Sequence, residues 1–184
     1  MPPCVEMMLA LSRSARGRNM AGVKSRQSAG VLMYRRSGSQ LEVLLVHPGG
    51  PFWAKKDAGA WSIPKGEFDA VEAPLAAARR EFIEELGIDP GAALTPLRVV
   101  TQSRAKVVHA FAAEGDADPG TITSNTFEIE WPPRSGHMQA FPEVDRAAWF
   151  TLDEARVKIV AGQRAILDAL ATLTAGHKQD RTLM

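Results

Sequence analysis

The sequence predicts a mixed β-sheet with few helices, α+β or α/β in its layering. Three observations carry this expectation. Short apolar, β-favouring runs recur from Ser28 onward, and segments of helical periodicity lie between and after them. No internal repeat or second domain boundary breaks the 184 residues, a length that suits one domain with spare chain at the ends.

Ser28–Arg36 and Leu41–His47 are apolar runs separated by the turn set Ser37-Gly38-Ser39, and both are expected to be buried strands. A Pro/Gly-rich loop follows from Pro48 to Gly59 and carries Phe52, Trp53, Lys55 and Lys56. A short strand is expected at Trp61–Ile63, leading into Pro64-Lys65-Gly66. From Ala73 to Leu86 the Ala-rich chain sets Leu75, Ala78, Phe82 and Leu86 at helical spacing, with Pro74 tolerated in the first turn and Gly87 placed to end the helix. Downstream, Leu97–Gln102, Lys106–Ala113, Thr121–Trp131 and Ala148–Thr151 read as strands. Leu152–Val160 and Gln163–Leu173 read as helices, the second with Ile166, Leu167, Leu170 and Leu173 on one face.

Composition narrows the function classes. With 22 basic and 21 acidic residues the net charge is +1, which argues against a protein that coats nucleic acid. Its one cysteine, Cys4, excludes an intrachain disulfide framework and a multi-cysteine zinc site, and a reducing cytoplasmic setting fits. No run reaches the ~18 apolar residues of a spanning helix. The expected domain is 27–175, followed by a polar tail over 176–184. Residues 1–26 hold five basic residues against Glu6, with interleaved serines. A disordered leader or start-site extension is the preferred reading; a genuine tail and an organellar transit segment are the others.

The chemistry is concentrated between Gly66 and Ile88, in GEFDAVEAPLAAARREFIEELGI. On a helix, Glu81, Glu84 and Glu85 share a face, and like charges so close repel. A hard divalent cation such as Mg²⁺ or Mn²⁺ reverses the sign, because it prefers oxygen ligands. The opposite face can bury and hold the helix rigid. Gly66 permits a close backbone approach, and Lys65 beside it suits an anionic phosphate. The competing reading of such a charge run is a solvated helix face. Seven fixed identities, at Gly66, Glu72, Arg80, Glu81, Glu84, Glu85 and Gly87, match by chance on the order of 10⁻⁹ per starting position, which decides against it.

This stretch resembles the complete Nudix box, Gly-x5-Glu-x7-Arg-Glu-U-x-Glu-Glu-x-Gly-U with U apolar, at every fixed position. The wider segment Ser28–Thr151 also looks like a Nudix domain. The resemblance implies a mixed sheet between helices, with the box as loop–helix–loop. It also implies metal-dependent hydrolysis of a nucleoside diphosphate linked to another moiety. On this sequence Gly66, Glu81, Glu84 and Glu85 would hold Mg²⁺ (or Mn²⁺), Arg80 would orient the glutamates and Glu72 would support the helix. The general base would be a box glutamate or one from a later loop, for which Glu143 is the candidate.

The lead-in Trp61-Ser62-Ile63-Pro64-Lys65-Gly66-Glu67 resembles that of diadenosine polyphosphate hydrolases, in which the lysine faces the phosphate chain. Lys55 and Lys56 are expected to add cations, or else to sit in a mobile loop. Phe127 and Phe141, in the region of Trp131, are candidates for stacking on a base, against the plainer reading of Phe127 and Trp131 as core aromatics. The expected activity is bis(5′-nucleosyl)-tetraphosphatase, converting diadenosine tetraphosphate to ATP and AMP, or a related nucleoside polyphosphate pyrophosphohydrolase. The alternatives are a (d)NTP pyrophosphohydrolase of sanitising type and a non-catalytic nucleotide-binding regulator. The expected partner is a nucleotide, with no stable nucleic acid and no membrane, in a monomer or homodimer. His47 and His109 are expected to be satisfied strand residues.

Overall fold

Val31 and Met33 point to one side of their strand and Leu32 to the other, and this alternation organises the layers. The computed structural model describes residues 25–181. Residues 1–24 of the expected leader, Cys4 among them, lie outside the described residues, whereas Arg26, also assigned to the leader, already opens the first strand. Strand β1 (Arg26–Ser37) forms the centre of a six-stranded mixed sheet with β2 (Gln40–Pro48), β3 (Lys65–Glu67), β4 (Thr95–Ser103), β5 (Lys106–Glu114) and β8 (Val144–Thr151). The order is β4-β5-β1-β2-β8, with β3 also on β1. β1 runs parallel to β5, and the other pairings are antiparallel. Strands β6 (Thr126–Glu130) and β7 (Met138–Pro142) form a separate two-stranded hairpin.

On one face Ala29, Val31, Met33, Leu44 and Val46 pack under helix α1 (Pro74–Leu86), against its buried Ala77, Ala78, Phe82 and Leu86. On the other face Leu32, Val43, Leu45, Val108 and Ala110 pack with Trp61 and Ile63, under α2 (Leu152–Lys158) and α3 (Arg164–Arg181). Two helical layers thus enclose the sheet, as the sequence led one to expect.

The free edge of β1 is divided. Its C-terminal end pairs with β2 from Tyr34 to Ser37, and its N-terminal end pairs with β3 from Ser28 to Gly30. The expected strand at Trp61–Ile63 is only a pair of isolated bridges, Val46 to Ser62 and Trp61 to Ile159; the strand forms four residues later, at Lys65–Glu67. Gly30 explains the choice. A β carbon there would collide with the Pro64 carbonyl and the Lys65 β carbon, so its absence lets this segment press onto β1. Val31 N–H then donates to the Pro64 carbonyl at 3.1 Å.

Helix α1 begins with Pro74 at its first turn and ends on Gly87, which takes φ 70° and donates its N–H to the Ile83 carbonyl. Ala77, not Leu75, completes the buried stripe; Leu75 is 43% exposed. The region read as one strand over Thr121–Trp131 pairs only from Thr126 to Glu130, against the unanticipated β7. The last helix continues beyond Leu173 to Arg181, past the end of its apolar periodicity.

Candidate functional site

Pairing of β3 with β1 brings the start of the box beneath α1, and Gly66 is the point of closest approach. A β carbon at Gly66 would fall within the Glu81 carboxyl group, so the helix can bring that carboxylate onto the Gly66 backbone only because residue 66 has no side chain. Arg80 organises the acidic face. Its Nε and Nη2 grip Glu72 in a bidentate pair, both at 2.9 Å. Its Nη1 donates to Glu81 at 2.6 Å and to Glu84 at 3.3 Å. Glu85 lies on the inner side, accepting the Lys65 N–H at 3.0 Å.

The cost of gathering acids shows in their ionisation. Burial pushes the Glu85 carboxyl up to about 8, aided by the charges of Glu81 and Glu143 and opposed by Lys65. Burial also raises Glu81 and Glu143; Glu84 adds to the rise at both, while Arg80 opposes it at Glu81. Glu143, reached from the end of β7, is therefore within electrostatic range of the three box glutamates. Among the described residues no three His, Cys, Asp or Glu side chains converge as a preformed metal cage, and Arg80 bridges Glu81 and Glu84. The donor set nonetheless fits a hard divalent cation: hard carboxylate oxygens on one helical turn, with one carboxylate laid onto the Gly66 backbone.

One residue of this neighbourhood escaped the sequence. Lys106, at the start of β5, is 5% exposed and makes no side-chain hydrogen bond or ion pair with any described residue. Burial, reinforced by the charge of Lys65, lowers its ammonium to about 7, while Glu67 and Glu85 pull the other way. Ser28, nearby on β1, has a fully buried hydroxyl without a hydrogen-bond partner. A lysine opening a strand reads as a solvated end residue, so no sequence signal distinguished it.

The remaining candidates lie on outer segments. Lys55 is exposed, and the Lys56 ammonium sits 4.4 Å from the Trp53 ring centre. Phe127 and Phe141 face each other across the hairpin with centroids 6.2 Å apart, and Trp131 meets Phe52 of the basic loop edge-on at 5.4 Å. None of Phe127, Phe141 and Trp131 belongs to either core. No hydrogen bond, ion pair or ring contact ties Lys55, Lys56, Phe127 or Phe141 to the box among the described residues. Thus the structure assembles Lys65, Gly66, Glu72, Arg80, Glu81, Glu84 and Glu85, brings Glu143 near, and leaves the other four on separate walls.

A family model of the NUDIX domain matches residues 24–170. The chain belongs to the Nudix family. As a Nudix hydrolase it acts on phosphoric anhydrides, the pyrophosphate bonds of nucleotide derivatives, and members of the family generally use divalent metals such as Mg²⁺. Solved structures share the fold at low identity. An Ap4A hydrolase from C. elegans, in a binary complex, is 24% identical with a TM-score of 0.56, covering 82% of this chain and 98% of that one. The NUDIX domain of Shewanella oneidensis NrtR, complexed with ADP ribose, is 16% identical with a TM-score of 0.57, covering 82% of this chain and 88% of its own. RenU, a Nudix hydrolase from M. smegmatis, is 22% identical with a TM-score of 0.54, covering 83% and 88%. No curated protein matches the chain. Among the described residues no helix is long and apolar enough to cross a membrane.

Proposed function

We propose that this Nudix hydrolase cleaves a dinucleoside polyphosphate, converting diadenosine tetraphosphate and water to ATP and AMP, in the cytoplasm. One observation carries the reading: beside a complete acidic box stand Lys65 and Lys106, the latter 5% exposed and without a side-chain hydrogen bond or ion pair among the described residues, cations in excess of what a single pyrophosphate link needs. A long polyphosphate supplies the anionic oxygens that would satisfy them.

Glu81, Glu84, Glu85 and the Gly66 carbonyl would hold Mg²⁺ or Mn²⁺, which when bound neutralises phosphate oxygens and lowers the pKa of a coordinated water. Arg80, anchored on Glu72, keeps Glu81 and Glu84 oriented. Glu143 takes the proton from the attacking water, its raised pKa bringing it closer to the working pH of a general base. Lys65 and Lys106 bind the phosphates that do not react, with Lys55 and Lys56 further along the chain. Phe127 or Phe141 stacks on a base. Water attacks one phosphorus, the P–O bond on its far side breaks, and the leaving phosphate departs with its electron pair.

The test is a screen of nucleotides with product identification and kcat/KM. Diadenosine tetraphosphate giving ATP and AMP is the expected result. A 100-fold preference for an oxidised dNTP would instead assign the sanitising activity, and tight binding without product release would assign a regulator.

A further inference from the structure

His47, the penultimate residue of β2, has its side chain fully buried, and the proposed reaction makes no use of it. Its Nδ1 lies 2.7 Å from an Asp145 carboxylate oxygen and its Nε2 lies 2.9 Å from the Lys56 carbonyl. Both partners accept, so both nitrogens must donate, and only the doubly protonated ring has two N–H groups. Turning the ring over would set carbon atoms against both acceptors. Arg146 Nε lies 3.5 Å from the same Asp145 oxygen, so that oxygen faces two nitrogen donors. The other charged groups in this corner are already matched: Asp57 of the basic loop pairs with Lys158 of α2 and accepts from Trp61, whose ring meets His47 edge-on at 5.2 Å.

The two segments joined through His47 carry the loop lysines, which have no tie to the box among the described residues, and Glu143, which lies within electrostatic range of it. Lys56 belongs to the basic loop Pro48–Gly59, and Asp145 lies two residues beyond Glu143. The same junction is braced at the backbone: Gly49 N–H donates to the Glu143 carbonyl at 3.0 Å, and a β carbon on Gly49 would strike the Pro142 carbonyl.

We propose that His47 is a positioning residue for hydrolysis, held as an imidazolium that clamps the basic loop to the segment carrying Glu143. This rests on the reading of Glu143 and the loop lysines given above. The clamp fixes the spacing between the base and the cations that grip the far end of the substrate. A neutral ring would release one partner, freeing the loop or the Glu143 segment, since it cannot donate to both.

The nitrogen resonances of His47 test the charge state in the wild-type protein, assigned by their loss in His47→Gln. Both nitrogens protonated at pH 7.5 is the expected result; one unprotonated nitrogen overturns the proposal. Kinetics with diadenosine tetraphosphate test the positioning. An Asn side chain places its amide nitrogen near the site of Nδ1, and a Gln near that of Nε2. His47→Asn, which loses the Lys56 tie, is expected to raise KM about tenfold with kcat little changed. His47→Gln, which loses the Asp145 tie, is expected to lower kcat about tenfold with KM little changed. Equal changes of both parameters in both variants, tracking a common loss of Tm, would reduce His47 to a structural residue and overturn the assignment. Failure to hydrolyse any dinucleoside polyphosphate would remove the substrate reading, and the nitrogen resonances would still decide the clamp.

Discussion

The box and the outer walls of the site are built by opposite means. Between Lys65 and Gly87 each charged group that matters has a partner: Arg80 holds Glu72, Glu81 and Glu84, and Glu85 takes a backbone N–H. The helix beneath them is fixed by four buried side chains. The β6–β7 hairpin carries Phe127 and Phe141 outside both cores, and the basic loop, anchored in one core by Trp53, meets the hairpin and the Glu143 segment through a few contacts, such as Phe52 on Trp131 and the His47 clamp. The contrast separates two demands. Anhydride cleavage needs carboxylates preset to a small tolerance, which packing supplies, whereas choosing a substrate needs surfaces free to take its shape.

Four experiments break or sharpen this contrast. The largest effect is expected inside the box: Glu85→Gln should lower kcat by at least ~10³ while circular dichroism shows the fold intact, since it would remove an anionic ligand from the proposed metal site. Glu143→Gln, on the segment between the two regions, should lower kcat by ~10² and shift the acidic limb of the pH–rate profile. An unchanged rate would return the base to the box. Lys106→Met should raise KM for a tetraphosphate about tenfold and at the same time raise Tm by a few degrees, because it removes an amine that burial desolvates.

The smallest effect is a pH dependence of stability without divalent cation. The Glu85 carboxyl keeps its proton in the folded protein up to about 8, far above its ordinary value of 4.5. Between those values the unfolded chain has lost a proton that the folded one retains, so stability is greatest below pH 4.5 from this group and falls as pH rises through 8. Lys106, lowered from 10.5 to about 7, acts in the reverse sense, its contribution recovering from pH 7 upward. The fall should therefore be clearest between pH 5 and 7, as a drop of about 3 to 6 °C in Tm that Glu85→Gln abolishes. A flat profile in the wild type would show Glu85 to be hydrated.

How much could be seen beforehand follows the same division. The strands β1 and β2 and the helix α1 were legible because burial on a sheet or helix imposes a short period on apolar residues. The box was legible because its chemistry fixes residue types at set intervals along one helix and its leading loop. Leu75 was expected in the buried stripe because it lies three residues before Ala78, whereas the helix buries Ala77, about 100° from Ala78, and so turns Leu75 outward. Strand β7 escaped because Met138–Pro142 ends on proline and lies outside the main sheet, with no alternation of its own.

From its order of residues alone, this protein determines a sheet between helices and an acidic helical turn beside a glycine, because both depend on spacings within about twenty residues. The tertiary structure decided that Trp61–Ile63 yields its place to Lys65–Glu67, that Lys106 is buried with no hydrogen bond or ion pair among the described residues, and that His47 faces two acceptors. Each depends on groups distant in sequence, Pro64 against Gly30 or Asp145 against His47, and only the folded chain sets what surrounds a charge.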